Sequence, residues 1–136
     1  MYKKCALLSL VLIVALSMFT GCKKEAGTLK IGLEGPMTGD YAYEGQGFEK
    51  AVRLLVDQTN AAGGLLGRQI ELVVEDDAGD PTQAALVAQR LVDAKVVAVI
   101  GAYNSTATEP ASAIYNEAGI LHITPSSTAT RLTEKG

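Results

Sequence analysis

From residue 29 onward, short apolar segments alternate with longer segments in which apolar and polar residues are mixed. Residues 29–33 alternate between apolar and polar side chains and run into Gly35-Pro36, which is typical of a strand followed by a turn. Further apolar runs predict strands over residues 70–74, 96–101 and 120–124. The run at 96–101 is apolar throughout, which predicts a strand buried on both faces of a parallel sheet.

The segments between these strands have helical periodicity. Residues 45–61 place apolar side chains on one helical stripe, formed by Phe48, Val52, Leu55 and Val56. A second helix is predicted to begin with Asp80 as N-cap, Pro81 at the first helical position and Gln83 reaching back to the N–H of the cap. Its apolar stripe is Ala85, Ala88, Leu91 and Val92. A third helix is predicted over 105–118 and ends at Gly119.

Four strands separated by three helices predict an α/β fold with a doubly wound parallel sheet. If the strand order is 2-1-3-4, the loops after the third and fourth strands lie at neighbouring strand ends.

The first residues of the chain have the features of an export signal. Two lysines near the start precede an apolar run from Cys5 to Phe19, which is shorter than the about 20 residues that span a bilayer. Phe19-Thr20-Gly21-Cys22 resembles a bacterial lipobox, in which the cysteine becomes the lipid-modified N-terminus. We therefore expect a lipoprotein signal peptide over 1–21, a lipid on Cys22, a polar tether over 22–28 and an exported, membrane-anchored protein; a short uncleaved anchor is the alternative.

Composition narrows the chemistry further. The chain has 136 residues, 12 Lys and Arg, 15 Asp and Glu, and a net charge of −3, which disfavours a nucleic-acid partner. Its two cysteines and single histidine give little support to a cysteine-rich metal site or to a nucleophile paired with histidine. His122 is expected to be a packed strand residue. The acidic residues Glu75, Asp76, Asp77 and Asp80 are interpreted as a loop after a strand, with Asp80 as a cap, rather than as a metal site. No catalytic residue, metal or cofactor is expected.

Small hydroxyl side chains follow the predicted third and fourth strands. Sheets of this kind bind ligands beyond the carboxyl ends of their strands. Ser105 and Thr106 begin the third helix, whose free N–H groups and positive dipole end suit a carboxylate. Thr106 with Glu109 also fits a capping box, so ligand contact and capping both remain open for Ser105 and Thr106.

A series of loop motifs carries a resemblance to a known family. In order they are Gly35-Pro36-Met37-Thr38-Gly39, Asn60-Ala61-Ala62-Gly63-Gly64, Gly67-Arg68, Glu75-Asp76-Asp77, Asp80-Pro81, Val99-Ile100-Gly101, Ser105-Thr106, Pro110-Ala111 and Ile123-Thr124-Pro125-Ser126. With these motifs the chain resembles the leucine/isoleucine/valine-binding proteins of ABC transporters. These are two-lobed extracytoplasmic receptors of the type I periplasmic-binding fold.

The resemblance implies a function and residue roles. It implies a solute-binding component of an ABC importer, with permease subunits as partners and a branched-chain amino acid or similar small amphiphile as ligand. Ser105 would hold the ligand's carboxylate through its hydroxyl and N–H, Ser126 through a backbone group and Thr128 through its hydroxyl and N–H. Tyr103 would form part of the pocket wall.

The chain also departs from the family pattern. The family often joins the loops after strands two and three by a disulfide, whereas the matching positions here are Gly79 and Asn104. The position of a wall aromatic in the first loop is occupied by Glu44, which puts branched-chain specificity in doubt. Residues 29–136 are expected to form part of the N-terminal lobe only, and to bind amino acids weakly without the second lobe. A ligand-sensing receptor domain, a truncated remnant and, least favoured, an extracellular α/β enzyme are the alternatives.

Overall fold

A parallel four-stranded sheet with helices on both faces organises residues 27–134, the part of the chain that the computed structural model describes. The elements are, in chain order, β1 (Leu29–Gly35), α1 (Ala42–Ala61), β2 (Ile70–Asp76), α2 (Pro81–Asp93), β3 (Ala98–Ile100), α3 (Ser105–Glu117), β4 (Leu121–Ile123) and a 3-10 turn at Thr130–Leu132. The sheet order is β2-β1-β3-β4. The predicted fold class is therefore confirmed, and the sheet has the order 2-1-3-4 that places the loops after β3 and β4 side by side.

The predicted signal peptide, lipobox and Cys22 lie outside the described residues. Within residues 27–134, no helix has both the length and the apolar character that crossing a bilayer requires.

The main core lies between the sheet and the helix pair α2 and α3, which pack against each other. Its buried members include Leu91 of α2, Val99 of β3 and Tyr115 of α3. The predicted stripe of α2 is confirmed at Ala88 and Leu91, and Val92 packs against the core while partly buried. Ala84 and Val87 complete the buried face, whereas Ala85 is only partly buried. Gly32 of β1 lets α2 approach closely, since a Cβ there would lie 3.1 Å from Leu91 and Val99 side chains.

The opposite face of the sheet is only partly covered. Helix α1 contacts β2, and Leu55 of its predicted core stripe is 62% exposed, so that part of the prediction is wrong. Val97 is 52% exposed, which also contradicts burial of the 96–101 segment on both faces. Periodicity shows which apolar residues share one face of an element, but it does not show whether another element covers that face.

The start of α2 agrees with the predicted cap in all but one detail. Asp80 Oδ1 accepts hydrogen bonds from the N–H groups of Thr82 and Gln83, at 2.9 and 2.8 Å. The N–H of Asp80, however, donates to the carbonyl of Asp77 rather than to the Gln83 side chain. The loop before α2 therefore closes on its own backbone.

Candidate functional site

The loops that follow β1 and β3 meet where the strand order reverses, the usual ligand position in a doubly wound sheet. Tyr103, after β3, packs against Tyr41 and Phe48, with ring centroids 5.6 and 6.3 Å apart. Tyr41 ends the loop after β1 and Phe48 belongs to α1. The three rings therefore fix the loop after β3 against the start of α1.

Asp76, the last residue of β2, shapes the loop after β1. Its carboxylate accepts hydrogen bonds from the Thr38 hydroxyl at 2.6 Å and from the Met37 N–H at 2.8 Å. Burial alone would raise the pKa of Asp76, but its hydrogen bonds with Thr38, Ala78 and Met37 outweigh burial and lower it. Asp76 thus remains ionised and holds this loop as a structural anchor, which agrees with the loop interpretation of the acidic residues.

Asn104 is the N-cap of α3. Its Oδ1 accepts from the Ala107 N–H at 2.8 Å and from the Thr106 hydroxyl at 2.7 Å, and its Nδ2 donates to the Gly79 carbonyl at 3.0 Å. The capping box predicted for Thr106 with Glu109 is therefore wrong, because Thr106 already lies inside the helix. The hydrogen bond from Asn104 joins the loops after β2 and β3 at the pair of positions where the family often has a disulfide.

Ser105 lies against the loop that follows β4. Its Oγ accepts hydrogen bonds from the N–H groups of Thr128 and Ala129, at 3.2 and 3.3 Å. Accepting both bonds leaves the Ser105 hydroxyl proton available to a further acceptor. The N–H groups of Ser105 and Thr106 have no acceptor within the part of the chain that is described. The structure thus brings Ser105 and Thr106, at the start of α3, to Thr128. Ser105 and Thr128 are 23 residues apart in the sequence.

Three further hydroxyl groups hold this arrangement, and the sequence analysis missed them. Thr108 and Ser127 hydroxyls are 2.6 Å apart, and Thr124 donates to the Ala102 carbonyl at 2.7 Å. Thr124 also accepts from the Ser127 N–H at 3.1 Å. The only sequence signal was the density of hydroxyl residues after β3 and β4, which does not tell a positioning hydroxyl from one that is free.

A groove of about 500 Å³ runs beside these loops at the start of α1. Tyr103 and Ser126 line it, whereas Ser105, Thr106 and Thr128 are not among its lining residues. The remaining lining residues are Tyr43, Glu44, Gln46, Gly47, Phe48, Lys50 and Pro125. Glu44 thus lies on the groove, as expected for the position it occupies.

A buried polar cluster lies beneath the site. The Tyr115 hydroxyl donates to Glu34 Oε2 at 2.7 Å, and Glu34 and Asp77 are both fully buried. Burial raises the pKa of Glu34 to about 8, with the Tyr115 hydrogen bond opposing and the charge of Asp77 adding to the shift. Burial likewise raises the pKa of Asp77. The sequence analysis missed Glu34, although its place in a strand next to Leu33 was visible.

The single histidine belongs to the same packed region. His122 lies against Tyr115, with ring centroids 4.9 Å apart, and burial lowers its pKa. The expectation of a packed strand residue is confirmed. Within residues 27–134, no cluster of three or more His, Cys, Asp or Glu side chains is arranged to hold a metal ion.

The hydrogen-bond donors at the start of α3 are neutral hydroxyl and amide groups. Such donors at a helix N-terminus suit an anion, because the helix dipole supplies partial positive charge. The aromatic wall beside them suits an apolar group. The donors and the aromatic rings thus differ in the chemical groups that they suit.

Comparison with known proteins identifies the family of this chain. Residues 28–136 match the family model described as periplasmic binding protein. The chain belongs to this family. Membership implies an exported binding protein.

Several relatives within the family are named for the amino acids that they bind. A leucine-, isoleucine-, valine-, threonine- and alanine-binding protein of Pseudomonas aeruginosa is 42% identical over 90% of this chain and 33% of its own length. The Leu/Ile/Val-binding protein of Escherichia coli is 43% identical over 82% of this chain and 30% of its own. The chain thus spans about a third of the length of these family members.

Solved structures of the family have the same fold. The branched-chain amino acid transporter substrate binding protein LivJ of Streptococcus pneumoniae, in complex with isoleucine, superimposes with a TM-score of 0.76 at 41% identity, over 79% of this chain and 31% of that one. A solute binding protein of Rhodopseudomonas palustris, in complex with 3,4-dihydroxy benzoic acid, gives 0.73 at 28% identity, over 80% of this chain and 30% of that one.

Proposed function

We propose that this chain contributes a ligand-binding wall to the solute-binding component of an ABC importer, without catalysing a reaction. Its ligand is a small amphiphile that carries a carboxylate, such as a branched-chain amino acid. The permease subunits of the importer are the proposed protein partners. Residues 29–136 are proposed to be part of the N-terminal lobe.

The observation that carries this proposal is the group of donors around Ser105. The free N–H groups of Ser105 and Thr106 and the Ser105 hydroxyl proton share one helix N-terminus, next to Thr128. We assign carboxylate binding to Ser105 and Thr128, with Thr106 contributing its N–H because its hydroxyl is bonded to Asn104. Ser126 and Tyr103, which line the groove, are assigned to the rest of the ligand.

The relatives support a carboxylate as the common element. Isoleucine and 3,4-dihydroxy benzoic acid, which occupy two of the solved structures, share a carboxylate and little else. Glu44 and Lys50 line the groove, and their charges would not stabilise a ligand whose side chain is purely aliphatic. We therefore propose that the ligand carries a carboxylate and that its other end is not limited to branched aliphatic side chains.

We further propose that residues 1–21 are a signal peptide, that Cys22 carries a lipid and that residues 22–28 tether the protein to a membrane. The support is the sequence pattern alone, in which a basic start and an apolar run precede Phe19-Thr20-Gly21-Cys22.

The binding proposal is tested by nuclear magnetic resonance titration of the chain with L-leucine and with L-leucinamide at millimolar concentration. Leucine is expected to shift the amide signals of Ser105, Thr106 and Thr128, and leucinamide is expected to leave them in place because it lacks the carboxylate. Ser105→Ala should weaken leucine binding about tenfold, since it removes a hydrogen bond to a charged group. Ser112→Ala is the matched control, because the Ser112 hydroxyl donates to Glu109 within α3. Equal shifts from both compounds would contradict the assignment.

A further inference from the structure

The turn between α1 and β2 exposes two leucines at the end of the molecule opposite the groove. Leu66 is 89% exposed and Leu65 is 45% exposed. The groove lies at the carboxyl ends of the strands, whereas this turn leads into the amino end of β2. The two leucines therefore place a small apolar surface at this end of the molecule.

The backbone holds Leu66 outward in a conformation that leucine disfavours. Leu65 and Arg68 exchange backbone hydrogen bonds of 2.8 and 3.0 Å, which close the turn. Within it Leu66 has a φ of 54°, in the left-handed region where glycine or asparagine is favoured. The turn thus carries at its tip an apolar side chain that its backbone conformation does not require.

Arg68 fastens this turn to the start of the described chain. Its Nε donates to the Gly27 carbonyl at 2.6 Å and its Nη2 to the Thr28 carbonyl at 2.8 Å. Gly27 is five residues after Cys22. Five extended residues span at most about 17 Å, so a lipid on Cys22 would hold Leu66 close to a bilayer surface.

We propose that the turn formed by Leu65, Leu66 and Gly67 contacts the bilayer beside a lipid anchor at Cys22. This inference rests on the anchor proposed above. Lys23 and Lys24, next to Cys22, add positive charge that suits anionic headgroups. Because the groove lies at the opposite end of the strands, the contact leaves the groove uncovered.

The test uses the full chain, produced with its leader in a bacterial host and reconstituted into vesicles of phosphatidylethanolamine and phosphatidylglycerol. Leu66→Cys is labelled with an environment-sensitive fluorophore, and spin-labelled lipid in the vesicles serves as the quencher. Tyr43→Cys is the matched position, since Tyr43 is also 89% exposed but lies at the start of α1, near the groove. The fluorescence emission of the label at position 66 is expected to shift to shorter wavelengths and to be quenched by the spin-labelled lipid. The emission of the label at position 43 is expected to do neither.

A second measurement avoids the label. In the unmodified chain on vesicles, amide hydrogen exchange at residues 65–67 is expected to slow relative to exchange in solution. Leu66→Asn should abolish that protection while the protein stays on the vesicles, and asparagine tolerates the left-handed backbone of the turn.

The outcomes separate this inference from the anchor. If the protein stays bound to the vesicles but quenching is equal at positions 66 and 43, the proposed contact is wrong and the proposed anchor stands. A chain that does not stay bound to the vesicles overturns the anchor and the contact together. Protection of residues 65–67 that is the same without lipid also overturns the contact, because the backbone hydrogen bonds of the turn then account for it.

Discussion

Glu34 illustrates how a single buried residue couples the fold to pH. Its carboxyl group is fully buried, receives one hydrogen bond from Tyr115 and lies near the charge of Asp77. Its Oε1 has no partner among the described residues. Such a group is more stable as the neutral acid, because burial penalises the charged form.

The stability of the chain is therefore expected to depend on pH through Glu34. Because the pKa of Glu34 rises from 4.5 to about 8 on folding, its contribution to stability is complete below pH 4.5 and is lost as pH rises to about 8. The free energy of unfolding of the wild type should fall relative to that of Glu34→Gln across this window, by at least about 1.4 kcal/mol, the equivalent of one pKa unit.

Urea unfolding at several pH values measures this difference. Asp77, whose pKa is also raised, acts in the same direction as Glu34. His122 acts in the opposite direction, because its pKa is lowered and its contribution is lost as pH falls below 6.5. Both groups remain in Glu34→Gln, so the comparison isolates Glu34. Parallel stability curves for the two proteins would disprove the burial of an ionisable carboxyl group.

At the scale of elements, the start of α3 is hydrogen-bonded to two other loops. Asn104 caps the helix and reaches Gly79 in the loop after β2, while Ser105 receives two N–H groups from the loop after β4. One helix N-terminus thus positions the loops after β2, β3 and β4. Asp80, by comparison, caps α2 through bonds within its own neighbourhood.

Removing the two caps should therefore have different costs. Asp80→Ala is expected to lower the free energy of unfolding by about 1 kcal/mol, as is usual for an N-cap. Asn104→Ala should cost about 2–3 kcal/mol, because it also breaks the bond to Gly79. Asn104→Asp keeps the acceptor for Ala107 and removes the donor to Gly79. Its loss in free energy of unfolding should therefore lie between those of Asp80→Ala and Asn104→Ala. Thermal and urea unfolding of the three variants decides the order, and equal losses for Asp80→Ala and Asn104→Ala would contradict the linking role.

At the scale of the whole molecule, the described residues form a binding surface that is open on one side. Tyr43 on the groove is 89% exposed, and the residues assigned to the carboxylate, Ser105 and Thr128, are half-buried and exposed. Small-molecule sites usually bury most of the ligand surface. The curated relatives, which are about three times as long, have more chain with which to enclose a ligand.

The chain of 136 residues is accordingly expected to bind amino acids with a Kd weaker than micromolar. The physical reason is that the ligand stays hydrated on its open side, so little apolar surface leaves water. Isothermal titration calorimetry with leucine, isoleucine and valine measures this directly. A micromolar or tighter Kd would show that one wall is enough and would refute the expectation.

Local patterns predicted the elements and their order. The strands at Leu29–Gly35 and Ile70–Asp76 follow from alternation and apolar runs, and Asp80 was identified as a cap because capping acts over three residues. The elements and this cap depend on neighbours in the sequence, which is why they needed no coordinates. The order β2-β1-β3-β4 came from the structure, because right-handed connections between parallel strands are compatible with more than one strand order.

By itself, then, the sequence determined the α/β class, the parallel sheet and the placing of hydroxyl residues after β3 and β4. Only the tertiary structure decided that Asn104 rather than Thr106 caps α3, that Ser105 meets Thr128, and that Leu55 is exposed. It also paired Glu34 with Tyr115, 81 residues away. Periodicity and capping preferences act over a few residues, whereas these contacts depend on which distant segments the folded sheet brings to the same edge or leaves uncovered.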